Sequence, residues 1–182
     1  MGQYYKPVIL NDKNKPVAAF KCYDFGSGAK LMEHSWIGND FVGFVEMYLN
    51  MLPSKIVWAG DYADEDIYSE AYDSSLITHQ QEVENKYGHD FGYGKKSKRL
   101  KYLINYDKKQ FVDKSKVIDV EGWSINPLPL LTCEGNGRGG GDFRGRDQNN
   151  IVGSWARDLI GISSRKSDIP KGFKELNFNL IE

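Results

Sequence analysis

The sequence contains few cysteines and no long apolar segment. Its 182 residues include only Cys22 and Cys133, and neither lies at a spacing typical of metal ligands. No apolar run approaches the roughly 18 residues that a transmembrane helix needs, and the first residues lack the charged and then apolar pattern of a signal peptide. We therefore expect a cytoplasmic protein with two reduced thiols, no membrane partner, no metal and no cofactor.

Signatures of common enzymes are missing as well. The chain has no Gly-x-Ser-x-Gly turn that would present a nucleophilic serine. His34 is the histidine to consider as a general base, with Glu33 beside it, but adjacent residues of an extended chain point to opposite sides. The residues favour a protein that is not an enzyme, and they leave catalysis open.

Charge is distributed unevenly along the chain. Residues 56–85 contain eight acidic and no Lys or Arg residues, whereas residues 86–116 contain ten Lys or Arg and three acidic residues. We interpret the two segments as solvated faces that partly neutralise each other. The overall pI of about 6.3 disfavours nucleic acid as a partner, and a homo-oligomer stays open.

The pattern of apolar and turn-forming residues predicts an α+β fold. Aromatic residues and glycine are both frequent, with 11 Tyr, 9 Phe, 4 Trp and 19 Gly, which favours strands joined by turns. Strand candidates follow one another without regular βαβ spacing, so we expect a mostly antiparallel sheet with hairpins in a single domain, residues 1–182. Residues 65–99 lack clear core positions, and we expect a partly ordered excursion there.

One main helix is predicted, over residues 39–52. Asn39 is a suitable N-cap, and Pro53 ends the helical pattern. The apolar residues that recur at helical spacing define the face that should pack on the sheet: Phe41, Phe44, Val45, Tyr48, Leu49 and Leu52.

Strands are predicted on both sides of this helix. Two hairpins are expected, at residues 3–23 and 100–112, because strand-like runs there flank short polar turns. Pro127 and Pro129 would confine their strand to a sheet edge or a bulge. The other expected strands are 55–59, 116–120, 124–132, 153–162 and 173–181.

A loop rich in glycine and arginine is the strongest candidate for a ligand site. Six of the fourteen residues from Glu134 to Asp147 are glycine. Successive backbone N–H groups in such a loop can form a concave anion site, and arginine pairs with phosphate through two hydrogen bonds. We predict that Arg144 and Arg146 receive the phosphate of a nucleotide-like small ligand, while Asp142 orients a guanidinium.

Aromatic side chains complete this predicted site. A base or sugar needs a flat apolar face, which Trp36, Trp58, Tyr62 or Trp155 can supply. The predicted ligand-binding residues are Arg138, Gly139, Gly140, Asp142, Arg144, Arg146, Trp58 and Trp155.

Two other functions stay open. Gly60-Asp61-Tyr62-Ala63-Asp64 resembles the Gly-Asp-x-x-Asp segment of calcineurin-like phosphoesterases, whose carboxylates hold two metal ions. Asp61, Asp64 and Asp158 would then be the ligands, although Gly137 stands where that family has a histidine. The other alternative is a structural or protein-interaction module, in which the glycine-arginine loop is only a connection.

Three segments together resemble a group of uncharacterised small proteins of bacteriophages, prophages and some bacteria. They are the opening Met-Gly-Gln-Tyr-Tyr-Lys, the segment Leu31–Asn39 with His-Ser-Trp-Ile-Gly-Asn, and Trp-Ala-Gly-Asp-Tyr-Ala-Asp from Trp58. The resemblance carries no residue role. It implies an accessory protein in the cytoplasm of a bacterial host, a setting in which small phage proteins often counter host defence by capturing or destroying nucleotide signals.

Overall fold

The computed structural model describes residues 3–63, 67–71, 84–85, 92–119, 122–135, 143, 147 and 150–179. These residues form one eight-stranded sheet and five α-helices, which confirms the predicted α+β class. The strands are β1 (Tyr5–Leu10), β2 (Pro16–Ala19), β3 (Ser54–Gly60), β4 (Tyr102–Asn105), β5 (Gln110–Asp113), β6 (Cys133–Glu134), β7 (Leu159–Ser163) and β8 (Lys174–Glu175). The helices are α1 (Leu31–His34), α2 (Asp40–Met51), α3 (Ile67–Glu70), α4 (Tyr93–Ser97) and α5 (Pro127–Thr132).

The sheet is mostly antiparallel, as predicted. Its strands lie in the order β2-β1-β3-β7-β4-β5-β8, and β6 pairs with β3 off this path. Among the strands described, β3–β6 and β5–β8 are the parallel pairs. One side of β3 is shared, because β7 pairs with its start at Ser54 and Lys55 while β6 pairs with its end at Trp58 and Ala59. The ends of β3 and β6 therefore lie side by side at one edge of the sheet.

Helix α2 is the main helix, and its predicted start is confirmed. Asn39 caps it, since the Asn39 side chain accepts a hydrogen bond from the backbone N–H of Val42 at 3.0 Å. Five residues of the predicted apolar face are buried: Phe41, Phe44, Val45, Tyr48 and Leu49. The prediction was wrong for Leu52, which is 50% exposed, because α2 ends at Met51 and Leu52 already has an extended backbone.

Helix α4 lies unusually close to α2 because glycines stand at the contact. The N–H of Gly94 donates to Asp40 Oδ1 at 2.8 Å. A Cβ on Gly94 would lie 2.0 Å from the carbonyl oxygen of Gly38, and a Cβ on Gly43 would lie 2.6 Å from the carbonyl carbon of Tyr93. Helix α4, near the end of the segment expected as an excursion, is therefore packed on the main helix, whereas residues 65–66, 72–83 and 86–91 of that segment lie outside the described residues.

Residues 127–132 form helix α5, so the strand predicted at 124–132 is wrong. Asn126 is the N-cap, and its side chain accepts from the backbone N–H of Leu128 at 2.9 Å. Pro127 occupies the first turn, where its fixed φ suits a helix and its missing N–H is not needed. The two prolines, from which a strand at a sheet edge was predicted, thus lie in the first turn of a helix.

The strand predicted at 116–120 is wrong, because Asp113 accepts from the N–H of Ser115 at 3.1 Å and the chain turns there after β5. The other strands differ from their predicted ranges mainly in length. The N-terminal hairpin and the hairpin of β4 and β5 are confirmed, and β2 ends at Ala19. Residues 153–158 form turns before β7, residues 114–116 form a 3-10 turn, and the last strand is the two-residue β8.

Cys22 and Cys133 are not joined by a disulfide. Burial raises the pKa of the Cys22 thiol above its ordinary value. Over the described part of the chain, no helix combines the length and the apolar character that crossing a membrane requires.

Candidate functional site

Most of the predicted ligand loop lies outside the described residues. This holds for Arg138, Gly139, Gly140, Asp142, Arg144 and Arg146, and also for Asp64 of the metal alternative. The described residues at its two ends are Glu134 and Gly135 on one side and Asp147 on the other. Asp147 is fixed there, because its carboxylate accepts from the N–H groups of Ile151 and Val152, each at 2.8 Å.

Trp58 and Trp155, predicted to stack on a ligand, lie in the hydrophobic core. Trp58 is 3% exposed, and its ring centroid lies 5.9 Å from that of Phe41. Trp155 is 0% exposed, and its Nε1 donates to Gln110 Oε1 at 3.1 Å. Both rings face the side of the sheet that α2 covers, so in this structure neither offers an open face to a ligand.

Asp61 and Asp158, predicted to approach each other, do not converge. Asp61 follows β3, and its Oδ1 accepts from the N–H of Tyr4 at 3.0 Å. Asp158 lies beside Ile56, nearer the start of β3, and its carboxylate accepts from Asn105 Nδ2 at 2.8 Å. Along β3 the two positions are five residue steps apart, about 16 Å. The described residues contain no group of three or more His, Cys, Asp or Glu side chains that could hold a metal ion.

The base of the glycine-arginine loop lies at the shared edge of β3 and β6. Pairing of Ala59 with Glu134 places Gly60 and Gly135 next to each other as both chains leave the sheet. The buried side chain of Gln3 fills the space between them, since a Cβ on Gly60 or Gly135 would lie 2.3 or 2.4 Å from its Nε2. The carboxyl ends of parallel strands are common ligand sites, so the predicted loop begins at a suitable place.

A second site, which the sequence analysis missed, is a cavity of about 390 Å³. It lies between the end of α4, the start of β4, the turn after β5, and residues 36–37 and 122–124. Six of its lining side chains define what we call the Trp–Lys pocket: Trp36, Lys98, Lys101, Lys114, Asp119 and Trp123.

The aromatic wall of the Trp–Lys pocket is held by backbone pairing. The rings of Trp36 and Trp123 meet edge to face, with centroids 5.1 Å apart and planes at 86°. The backbone N–H of Ile37 donates to the carbonyl of Ser124 at 2.7 Å, and Trp36 forms an isolated β-bridge with Ile125. Trp123 is 55% exposed, so its indole is open to a ligand that enters the pocket.

Lysines form the opposite wall. Lys98 follows α4 and Lys101 precedes β4, and both are exposed, with no carboxylate within ion-pair distance in the part of the chain that the structure describes. Lys114 follows β5, and its backbone N–H donates to the carbonyl of Lys101 at 2.7 Å. Its side chain is buried and forms an ion pair with Glu46. The positive charge that this wall offers to a ligand is therefore that of Lys98 and Lys101, because Glu46 neutralises Lys114, and the carboxylate of Asp119 also lines the pocket.

Three features of the sequence indicate this pocket only when they are considered together. The basic segment 86–116 was interpreted as a solvated face, although it supplies all three pocket lysines. Trp36 was named as a possible stacking face, whereas Trp123 was not singled out. Glu46 is an acidic residue among the apolar residues of α2, and this position indicates a charge inside the protein.

Comparisons with known proteins do not identify this site. No protein family model, curated protein or solved structure matches the chain.

Proposed function

We propose that the protein binds a phosphate-bearing, nucleotide-like small ligand in the Trp–Lys pocket. The observation that carries the proposal is that three lysines and two tryptophans line one cavity. Ammonium groups attract phosphate oxygens, and a base stacked on an aromatic side chain contributes about 1–3 kcal/mol. A volume of about 390 Å³ lies within the range of small-molecule sites.

Different side chains of the pocket suit different parts of the ligand. Lys98 and Lys101, both exposed and without a carboxylate partner among the described residues, suit the phosphate. Trp123 suits the base because its ring is open to solvent. Asp119 is an acceptor for hydroxyl groups, such as those of a ribose, and its Oδ2 already accepts from Ser124 Oγ at 3.4 Å.

The resemblance to phage and prophage proteins gives this binding a biological setting. In the proposal, the protein acts in the cytoplasm of a bacterial host as a phage accessory protein. It captures a nucleotide signal and thereby counters the defence that the signal would trigger. The arginines of the glycine-arginine loop, Arg138, Arg144 and Arg146, remain a second proposed set of phosphate donors.

The experiment is a calorimetric titration of the protein with ADP, adenosine and inorganic phosphate, with and without Mg²⁺. We expect ADP to bind more tightly than adenosine or phosphate alone, and more weakly as salt is added, because exposed charge pairs are screened. Lys98→Ala with Lys101→Ala should weaken ADP binding about tenfold or more, since each lost charge-assisted contact costs about 1.5–3 kcal/mol. Trp123→Ala should weaken ADP and adenosine alike, by the stacking contribution of about 1–3 kcal/mol.

Matched controls separate the pocket from general charge effects. Lys13→Ala with Lys15→Ala removes the same charge from the turn between β1 and β2, where both lysines are exposed, and should leave the affinity unchanged. Arg144→Ala with Arg146→Ala tests the glycine-arginine loop. Loss of binding in that variant, with normal binding in the pocket variants, would place the site at the loop. Release of phosphate from ADP with Mg²⁺ would favour the phosphoesterase, and no binding of any probe would favour an interaction module.

A further inference from the structure

We infer that Glu46 is a positioning residue, which fixes Lys114 and thereby the cationic wall of the Trp–Lys pocket. The inference rests on the proposed function and deepens it. Glu46 does not line the pocket, whereas Lys114 does. Glu46 would therefore act on the ligand only through Lys114.

The ion pair of Glu46 and Lys114 is buried almost completely. The side chain of Glu46 is 0% exposed and that of Lys114 is 4% exposed. Taking two charges out of water carries a large desolvation penalty, and apolar residues of similar size are often equally or more stabilising at such positions. Stability alone thus gives no reason for a carboxylate in the middle of α2. A role in fixing Lys114 at the wall of the pocket supplies such a reason.

The carboxylate of Glu46 is itself held in place. Its Oε1 accepts from Lys114 Nζ and also from Asn126 Nδ2, the latter at 2.8 Å. The amide of Asn126 cannot turn freely, because its Oδ1 accepts from the N–H of Leu128 as the N-cap of α5. Glu46 Oε2 is buried and has no hydrogen-bond partner among the described residues, so the position of the carboxylate depends on Oε1. The chain of contacts therefore fixes Lys114 from two helices.

Lys114 connects the buried ion pair to the wall of the pocket. Its backbone N–H donates to the carbonyl of Lys101 at 2.7 Å, which ties the turn after β5 to the residue that precedes β4. Without Glu46, the ammonium of Lys114 would lose the carboxylate with which it pairs in the core, and a buried charge without its partner is strongly unfavourable. Removal of the carboxylate would then disturb both the charge and the geometry that a phosphate meets.

The test replaces the ion pair with an apolar pair. In Glu46→Met with Lys114→Met, we expect a melting temperature equal to or above that of the wild-type protein, because the desolvation penalty is gone. We expect ADP binding to weaken about tenfold or more, because the wall that carries Lys101 loses its anchor in the core. Adenosine, which lacks phosphate, should bind as it does to the wild type. A merely structural role would leave the affinity for ADP unchanged, whatever the melting temperature.

A second variant guards against a failure of the double variant to fold. Glu46→Asp keeps the charge but withdraws the carboxylate by one methylene group, and it should weaken ADP binding severalfold without affecting adenosine. Lys30→Met with Glu33→Met removes an exposed ion pair of 3.0 Å and should leave ADP binding unchanged. Wild-type affinity for ADP in a folded Glu46 variant overturns the inference while the proposed function stands. Failure of the wild-type protein to bind ADP, adenosine or phosphate overturns both.

Discussion

Arg157 donates two hydrogen bonds to the carboxylate of Glu134, from Nε at 2.6 Å and from Nη2 at 2.9 Å. The pair joins the turn before β7 to the last residue of β6, which is also the first residue of the glycine-arginine loop. Both side chains are partly buried, so water screens the contact only in part.

Replacement of Arg157 by lysine should therefore not preserve the contact. Lysine keeps the charge but lacks the planar fork that makes two parallel hydrogen bonds. We expect Arg157→Lys and Arg157→Ala each to lower the free energy of unfolding by about 1–2 kcal/mol in urea denaturation. Arg165→Ala is the matched control, because its ion pair with Asp168 is largely exposed and should change the value by less than about 0.5 kcal/mol. Equal effects in the two positions would contradict the role of the fork.

The close contact of α4 and α2 predicts that Gly94 does not tolerate a side chain. In Gly94→Ala the new Cβ would meet the carbonyl oxygen of Gly38 at 2.0 Å, so α4 must move away. We expect a loss of about 1–3 kcal/mol in the free energy of unfolding, typical of overpacking. Lys95→Ala on the same helix, where the side chain is exposed, should stay within about 0.5 kcal/mol. A Gly94→Ala protein as stable as the wild type would show that α4 does not lie against the residues that begin α2.

Signals confined to one stretch of sequence predicted the fold well. The cap at Asn39, the helical spacing of the apolar residues and the stop at Pro53 all lie within residues 39–53 and agree with one another, so the helix could be identified without tertiary information. The hairpin of β4 and β5 was predictable for the same reason, because a short polar turn joins two alternating runs.

The errors occurred where distant residues decide the structure. Residues 127–132 are too short and too uniformly apolar for their period to distinguish helix from strand. Their N-cap, Asn126, is anchored by Glu46, which lies 80 residues earlier in the chain. The Trp–Lys pocket likewise combines residues from four separate segments, and nothing local to Trp36 or Trp123 indicates that they meet. Trp58 and Trp155 were predicted to stack on a ligand because their rings are flat and apolar. Both rings instead face the side of the sheet that α2 covers, and they are buried there.

The aromatic packing of α2 predicts a large effect at one position and a small one at another. Phe44 is fully buried, with its ring centroid 4.6 Å from that of Phe25 and 5.3 Å from that of Tyr93. We expect Phe44→Ala to lower the free energy of unfolding by about 3–5 kcal/mol, from lost burial and the cavity left behind. Leu52→Ala, at the exposed position after the helix, should cost less than about 1 kcal/mol in the same urea titration. Similar losses at both positions would place Leu52 in the core after all.

Lys6 should make the stability of the protein depend on pH in the alkaline range. Its ammonium lies over the ring of Tyr68 and donates to the carbonyl of Tyr68 at 3.1 Å. Burial and, to a lesser extent, the charge of Lys21 lower the pKa of Lys6 to about 8 from 10.5, although Cys22 acts in the opposite direction. Between these two values the unfolded chain binds more protons than the folded protein, so the free energy of unfolding should rise with pH across that window.

The measurement of this pH effect compares the wild type with Lys6→Met in urea denaturation from about pH 7 to pH 10. Other lysines and tyrosines titrate in both proteins and cancel in the difference. Methionine has no proton to lose, so the wild type should gain stability relative to Lys6→Met as the pH rises through about 8 and on towards 10.5. Lys13→Met, at an exposed position, should show a constant difference from the wild type over the same range. A constant difference for Lys6→Met as well would mean that the pKa of Lys6 is the same in the folded and unfolded chains.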